Sequence, residues 1–240
     1  MKILYIHGLG SGKQSATPER LRNALPEAEV LSPEIPIDPI EAMRFLEDNF
    51  LNDTGIDLVM GSSLGGFYSL LLKHHRKLLA NPALFADEDI EKGIGLGVQE
   101  FLSPRENGAK TYVIDEAFIQ GLADIRSKIF NMDPLHPGMP DREQVENTWA
   151  IFALSDELLA HHDDFCHLFR PDHAFRMEGE HRVSEDNMQE DIVPLIRMIL
   201  KGKYTKKCPQ CHSELTLKLI HYVICTNRKS NLDKQIWENG

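Results

Sequence analysis

Short apolar runs and longer segments with helical spacing take turns along the first 200 residues. Residues 2–7 are a β-branched and aromatic run that stops at Gly8, which predicts a strand. Thr17 and Pro18 predict a helix start, with Thr17 as the cap and Pro18 in the first helical position. Residues 29–31 make a weaker strand before the proline-rich loop 32–39. Residues 40–51 place Met43, Leu46, Phe50 and Leu51 near helical spacing. Residues 57–60 form a second short apolar strand, and residues 67–72 continue as a helix. Further strands are predicted at 77–81, 149–154 and 174–177. A closing helix at 192–200 is apolar at Ile192, Leu195, Ile196, Ile199 and Leu200. Such alternation implies βαβ units, hence an α/β domain over residues 1–201 with helices on both faces of a mostly parallel sheet.

Two regions break the rhythm. Residues 86–147 are long, charged and rich in Gly and Pro, with one predicted helix at 115–130. Such an insertion either covers an active site as a lid or only connects two strands. The second break is Lys201-Gly202-Lys203, beyond which residues 202–240 read as a small cysteine-containing appendage. Cys208-Pro-Gln-Cys211 resembles the first knuckle of a zinc ribbon, and residues 215–224 have the alternation of a strand pair. Cys225 opens what would be the second knuckle. Tetrahedral zinc needs a fourth ligand, and Arg228 occupies that position and cannot bind a cation. His221 and His212 are the substitutes. The tail is therefore read as zinc-ribbon-like, either completed by one of these histidines or degenerate and without metal, and no metal or cofactor is assigned. Its lysines and arginines offer a protein partner a basic surface, although a solvated surface has the same composition.

Composition narrows the class. The chain has 240 residues, a formal net charge of −11 and 42% hydrophobic residues, enough to bury a core. The acidic balance argues against binding the phosphate backbone of nucleic acids. The N-terminal run is too short for a signal peptide, and no run reaches the roughly 18 to 20 apolar residues of a membrane span. A cytoplasmic protein without membrane partners is expected. Four cysteines are too few for a disulfide scaffold at this length.

The chemistry concentrates at predicted strand ends. Gly61-Ser62-Ser63-Leu64-Gly65 fits G-x-S-x-G between a strand and a helix. In that setting the central serine, Ser63, sits at the apex of a strained turn beside unpaired helix N–H groups. Ser62 lies one residue early. After the first strand, His7-Gly8-Leu9-Gly10 can set a backbone N–H opposite the nucleophile, so the amides of Leu9 and Leu64 are the predicted oxyanion donors. A phosphate-binding loop is the rival reading of Gly8 to Lys13, but Gln14 stands where Ser or Thr is required. A triad on such a fold runs serine, acid, histidine along the chain. Asp156 follows the strand at 149–154, with Glu157 as the alternative, more readily placed at the start of a following helix. His181 follows the strand at 174–177. The chain has eleven histidines. His74, His75, His161, His162 and His167 fall in predicted helical stretches, His173 precedes its strand, and His136 lies in the insertion.

His7-Gly8-Leu9, Gly61-Ser62-Ser63-Leu64-Gly65-Gly66, Asn81-Pro82-Ala83, Ser155-Asp156-Glu157 and Gly179-Glu180-His181 together resemble the YqiA-type esterases, a branch of the α/β-hydrolases. The resemblance covers roughly residues 1 to 200. It implies a three-layer α/β-hydrolase fold, a sheet beginning at the oxyanion strand, and hydrolysis of a small-molecule carboxylic ester or thioester. The chain departs from the pattern at Ser155, where a glycine is usual, in a longer 86–147 segment, and in its tail. Two other functions remain open: a peptidase or amidase with the same triad, and a silent scaffold that binds a partner.

Overall fold

Alternation within each strand decides which face of the sheet every side chain joins. A computed structural model describes residues 1–132 and 135–201, and the backbone of short strands at 206–207, 214–218 and 222–225. Strands β1 (Lys2–Ile6), β2 (Glu29–Leu31), β3 (Leu58–Ser62), β4 (Lys77–Ala80), β7 (Thr148–Ala153) and β8 (Ala174–Met177) form one sheet in the order β2-β1-β3-β4-β7-β8. Every neighbouring pair in it is parallel. Leu4, Ile6, Val59, Leu79, Ala150 and Phe152 point to one face and pack with α2 (Pro39–Phe50), α3 (Leu64–Ser69), α4 (Ala86–Gly93), α5 (Glu116–Phe130) and α7 (His162–Leu168). Ile3, Tyr5, Leu58, Met60, Leu78, Ala80, Ile151 and Ala153 point to the other, against α1 (Ala16–Ala24) and α9 (Val193–Lys201). A sheet buried on both faces reads as nearly continuous apolar strands, which is why these strands were visible in the sequence. The result is the expected three-layer α/β-hydrolase architecture.

Local chemistry sets the helix starts. The Asp38 carboxylate accepts from the Glu41 amide at 2.9 Å and caps α2, whose first residue is Pro39. The Asp115 carboxylate caps α5 by accepting from the Phe118 amide at 2.8 Å. Helix α1 starts two residues earlier than expected. Ser15 stands at its cap and Thr17 lies inside the first turn, where Pro18 still costs no hydrogen bond. Helix α3 begins at Leu64, directly after Ser63, rather than at Phe67. His74 and His75 lie in the turn before β4 and not in a helix.

Segment 86–147 holds more than one helix. Besides α5 it contains α4, an antiparallel hairpin of β5 (Gly97–Glu100) and β6 (Thr111–Ile114), and α6 (Arg142–Glu146). The hairpin was missed because its strands are only four residues each and the first, Gly97–Glu100, holds a single large apolar residue, Val98. In the tail, the three short strands form an antiparallel sheet of their own. Cys208, Cys211, His212 and His221 lie outside the described residues, as does Arg228. Among the described residues, no helix is long and apolar enough to cross a membrane.

Candidate active site

In the sheet order, the chain leaves β1 toward β2 on one side and returns to β3 on the other. Loops leaving the carboxyl ends of β1 and β3 therefore diverge and open a crevice, the usual ligand position in an open parallel sheet. Ser63 follows β3 at this point with φ 54° and ψ −124°, a backbone conformation that a serine adopts only under constraint from its surroundings. The constraint is close packing. A Cβ on Gly65 would collide with the carbonyl oxygens of Ile6 and His7, and one on Gly61 with the Gly65 carbonyl and the Ser69 hydroxyl. Backbone bonds complete the turn. The Ser63 amide donates to Ala80 O at 3.1 Å, and Ser63 O accepts from the amides of Gly66, Phe67 and Ala83 at 2.9, 3.2 and 3.2 Å. Ser62 is turned elsewhere, its hydroxyl 2.7 Å from the Tyr5 phenol oxygen.

The loop after β1 lies against Ser63, since a Cβ on Gly8 would sit 3.3 Å from the Ser63 Cβ. His7 fixes the loop's shape. Its buried Nε2 accepts from the Ile35 amide at 3.1 Å, so the ring proton is on Nδ1, which donates to Gly8 O at 3.1 Å. Burial, aided by the nearby Arg105 charge, pushes the His7 pKa down to about 4, consistent with a neutral ring. Gly8 O also accepts from the Ser11 amide at 3.2 Å. In a trans peptide the C=O and the following N–H point in opposite directions. With Gly8 O held toward His7 and Ser11, the Leu9 N–H is aimed away from them. The Leu64 amide is the first of α3 and has no intrahelical acceptor.

Beyond β7 and β8 the parallel ladder runs on into the loops. Leu154 N donates to Met177 O and Ser155 N to Gly179 O, both at 2.9 Å. This brings Asp156 to His181, whose Nδ1 is 2.8 Å from Asp156 Oδ2. The other carboxylate oxygen accepts from the amides of Leu158 and Leu159 at 2.9 and 3.0 Å. The Asp156 side chain is only 3% exposed. Its burial works to raise the carboxyl pKa, but the bonds from His181 and the two amides outweigh it and hold the group below the ordinary carboxylate range. Glu157 is exposed in a bend, five residues before α7 begins, so it does not open that helix as expected.

Asn81 belongs to the same edge, although its side chain carried no role in the sequence. It follows β4, is buried, and has φ 46°, the only positive φ besides Ser63 among the described non-glycine residues. Its Oδ1 accepts from the Ala153 amide at 2.7 Å and its Nδ2 donates to His181 O at 2.8 Å. One side chain thus ties the strand beside Ser63 to the end of β7 and to the histidine loop. The Asn-Pro-Ala wording marked the position, but the two partners are too distant in sequence to be inferred.

The remaining histidines lie in other settings. His173 is buried, stacked on Trp149 at 4.3 Å, with Nδ1 3.0 Å from Thr148 O. His161 spans Asp89 and Asp164 at 2.9 Å each. Among the described residues, no three His, Cys, Asp or Glu side chains gather as a metal site would require.

A family model described as an uncharacterised protein family (UPF0227) matches residues 2–198. Among solved structures, mouse alpha/beta hydrolase domain-containing protein 10 is similar with a TM-score of 0.57 and 14% identity, covering 84% of this chain and 90% of that one. Est1E from Butyrivibrio proteoclasticus is similar with a TM-score of 0.55 and 11% identity, covering 82% and 87%. The methylesterase MES16 from Arabidopsis gives a TM-score of 0.52 and 14% identity, covering 82% and 99%. At these identities the likeness establishes the fold.

Proposed function

We propose that this chain, which belongs to the UPF0227 (YqiA) family, is a serine hydrolase of small carboxylic esters or thioesters. The observation that carries the reading is the half-buried 2.8 Å pair of Asp156 and His181 at the sheet edge where the strained Ser63 turn also lies. In this mechanism His181 Nε2 takes the Ser63 hydroxyl proton as Oγ attacks the carbonyl carbon. The Leu9 and Leu64 amides hold the resulting oxyanion. The imidazolium then protonates the departing alcohol or thiol, leaving an acyl-serine. Water, activated by the same imidazole, releases the carboxylic acid and restores Ser63. Asp156 keeps the Nδ1–H tautomer and stabilises the imidazolium, a role suited to a carboxylate that resists protonation. Asn81 is a positioning residue that holds the His181 backbone. The methylesterase among the similar structures supports the assignment to ester chemistry.

The test is labelling by a fluorophosphonate probe. Ser63→Ala is expected to lose all labelling, while Ser62→Ala, which removes only the partner of Tyr5, keeps most of it. Equal labelling of wild type and Ser63→Ala would remove the assignment.

A further inference from the structure

The hairpin segment of the 86–147 excursion ends on the loop that carries Leu9. The Leu102 amide donates to Gly10 O at 2.7 Å. Three residues on, the Arg105 guanidinium donates to Ser11 O and to Ile35 O, both at 2.6 Å, and pairs with Glu34. Its side chain is 7% exposed. Glu34 in turn accepts from the Lys13 amide at 3.0 Å, and Ile35 supplies the amide that fixes His7. Arg105 therefore joins three segments distant in sequence: the 7–13 loop, the 34–35 stretch and the excursion. Each contact bears on one peptide group. Ser11 and His7 both hold Gly8 O, and Gly8 O sets the direction of the Leu9 N–H.

We infer that Arg105 is a positioning residue for the Leu9 oxyanion donor, and that the excursion is a strut for the oxyanion loop and not a lid that swings clear of it. The inference rests on the hydrolase reading above. Energetics favours the strut. Moving the excursion away would strand a buried guanidinium or its buried carboxylate partner, the costly way to break an ion pair. It would also free the carbonyls of Gly10, Ser11 and Ile35 together. The planar fork of arginine reaches two carbonyls at once, which an ammonium cannot do in the same geometry. A donor acts on the transition state only when preorganised where charge develops. Loosening the loop should therefore slow turnover without weakening ground-state binding.

The experiment uses the full chain with an activated ester, a trifluoromethyl ketone that forms an oxyanion on Ser63, and hydrogen–deuterium exchange. Arg105→Met is expected to lower kcat about 10-fold, part of the 10² to 10³ lost when a donor is removed outright, with KM within about two-fold. The ketone should weaken by the same factor as kcat/KM falls, and exchange across residues 8–13 should quicken. Arg105→Lys, which keeps the charge but not the fork, should fall between. Should Arg105→Met fail to fold, Arg105→Lys carries the test. Wild-type kcat and ketone affinity in the folded variant overturn the proposal. So does a loss confined to KM, or unchanged exchange at 8–13. Labelling that survives Ser63→Ala removes the hydrolase reading and this proposal with it. Labelling lost in Ser63→Ala beside a fully active Arg105→Met overturns the strut alone.

Discussion

Strand β4 starts with one buried polar residue and hands over to another, and the two ends behave differently. At its amino end Lys77 is fully buried, and its ammonium donates to His75 O at 2.7 Å and Lys73 O at 3.3 Å, both in the turn just before the strand. At its carboxyl end Asn81 bonds to Ala153 and His181, 72 and 100 residues away. Both side chains are satisfied. Lys77 closes its own turn, and burial drives its pKa down to about 7 despite the pull of Glu143 and Asp141. Asn81 binds together the loops on which the proposed chemistry depends. A buried polar group with remote partners specifies a site, whereas one with local partners only tolerates its burial.

The largest expected effect lies at the carboxyl end. Asp156→Asn is expected to preserve the fold yet misdirect the His181 tautomer, a change that costs on the order of 10⁴ in turnover in such triads. Glu157→Gln, a change to an exposed side chain in the same loop, serves as the control. Turnover of an activated ester by both variants, with folding followed by thermal melting, checks this. A crippled Glu157→Gln beside a near-normal Asp156→Asn would exchange the two assignments. Next in size is Asn81→Asp. It keeps the acceptor for Ala153 but turns a second carboxylate oxygen toward His181 O, so the histidine loop loses its tie. We expect kcat to drop about 10-fold, equivalent to about 1.4 kcal/mol, with KM little changed and the pH–rate profile displaced. An unmoved profile would limit Asn81 to a structural role.

At the amino end the expected effect is on stability alone. Lys77 binds its proton less tightly when folded than when unfolded, so the unfolded chain holds more protons between about pH 7 and 10.5. Stability from this group therefore rises as pH climbs through that window, and the penalty is full below it. At about 1.4 kcal/mol per pH unit the penalty is on the order of 5 kcal/mol. Lys77→Met should raise the melting temperature at pH 7, with a smaller gain at pH 9.5 and ester turnover unchanged. An equal gain at both pH values would show that the ammonium is not the source.

What could be read in the sequence follows the same division. Buried strands reveal themselves through apolar runs, and a reactive residue just past a strand end inherits its place from the strand. The places of Ser63, Asp156 and His181, the proposed triad, could be read for that reason. Hairpin β5–β6 could not, because Val98 and Val113 face each other exposed on its outer side while Tyr112 and Ile114 face the core, so apolar residues on both sides blur the alternation. Helix α4 had a signal that went unread. Asp87, Glu88 and Asp89 crowd its first turn, where the helix field favours carboxylates. Arg105 gave no such sign and Asn81 only its place in Asn-Pro-Ala, since their meaning lies in partners that only the folded chain brings near.

The continued pairing of β7 and β8 into the loops that carry Asp156 and His181 also has a consequence for synthesis. A chain emerging from the ribosome completes Ser63 and the loop beside it long before β8 exists. At 5 to 20 residues per second, His181 follows Ser63 by roughly 6 to 24 s. During that interval the nascent protein carries a serine with no base to ionise it. Under the proposed mechanism the hydrolase is therefore born inert, and its last parallel strand is the switch that arms it.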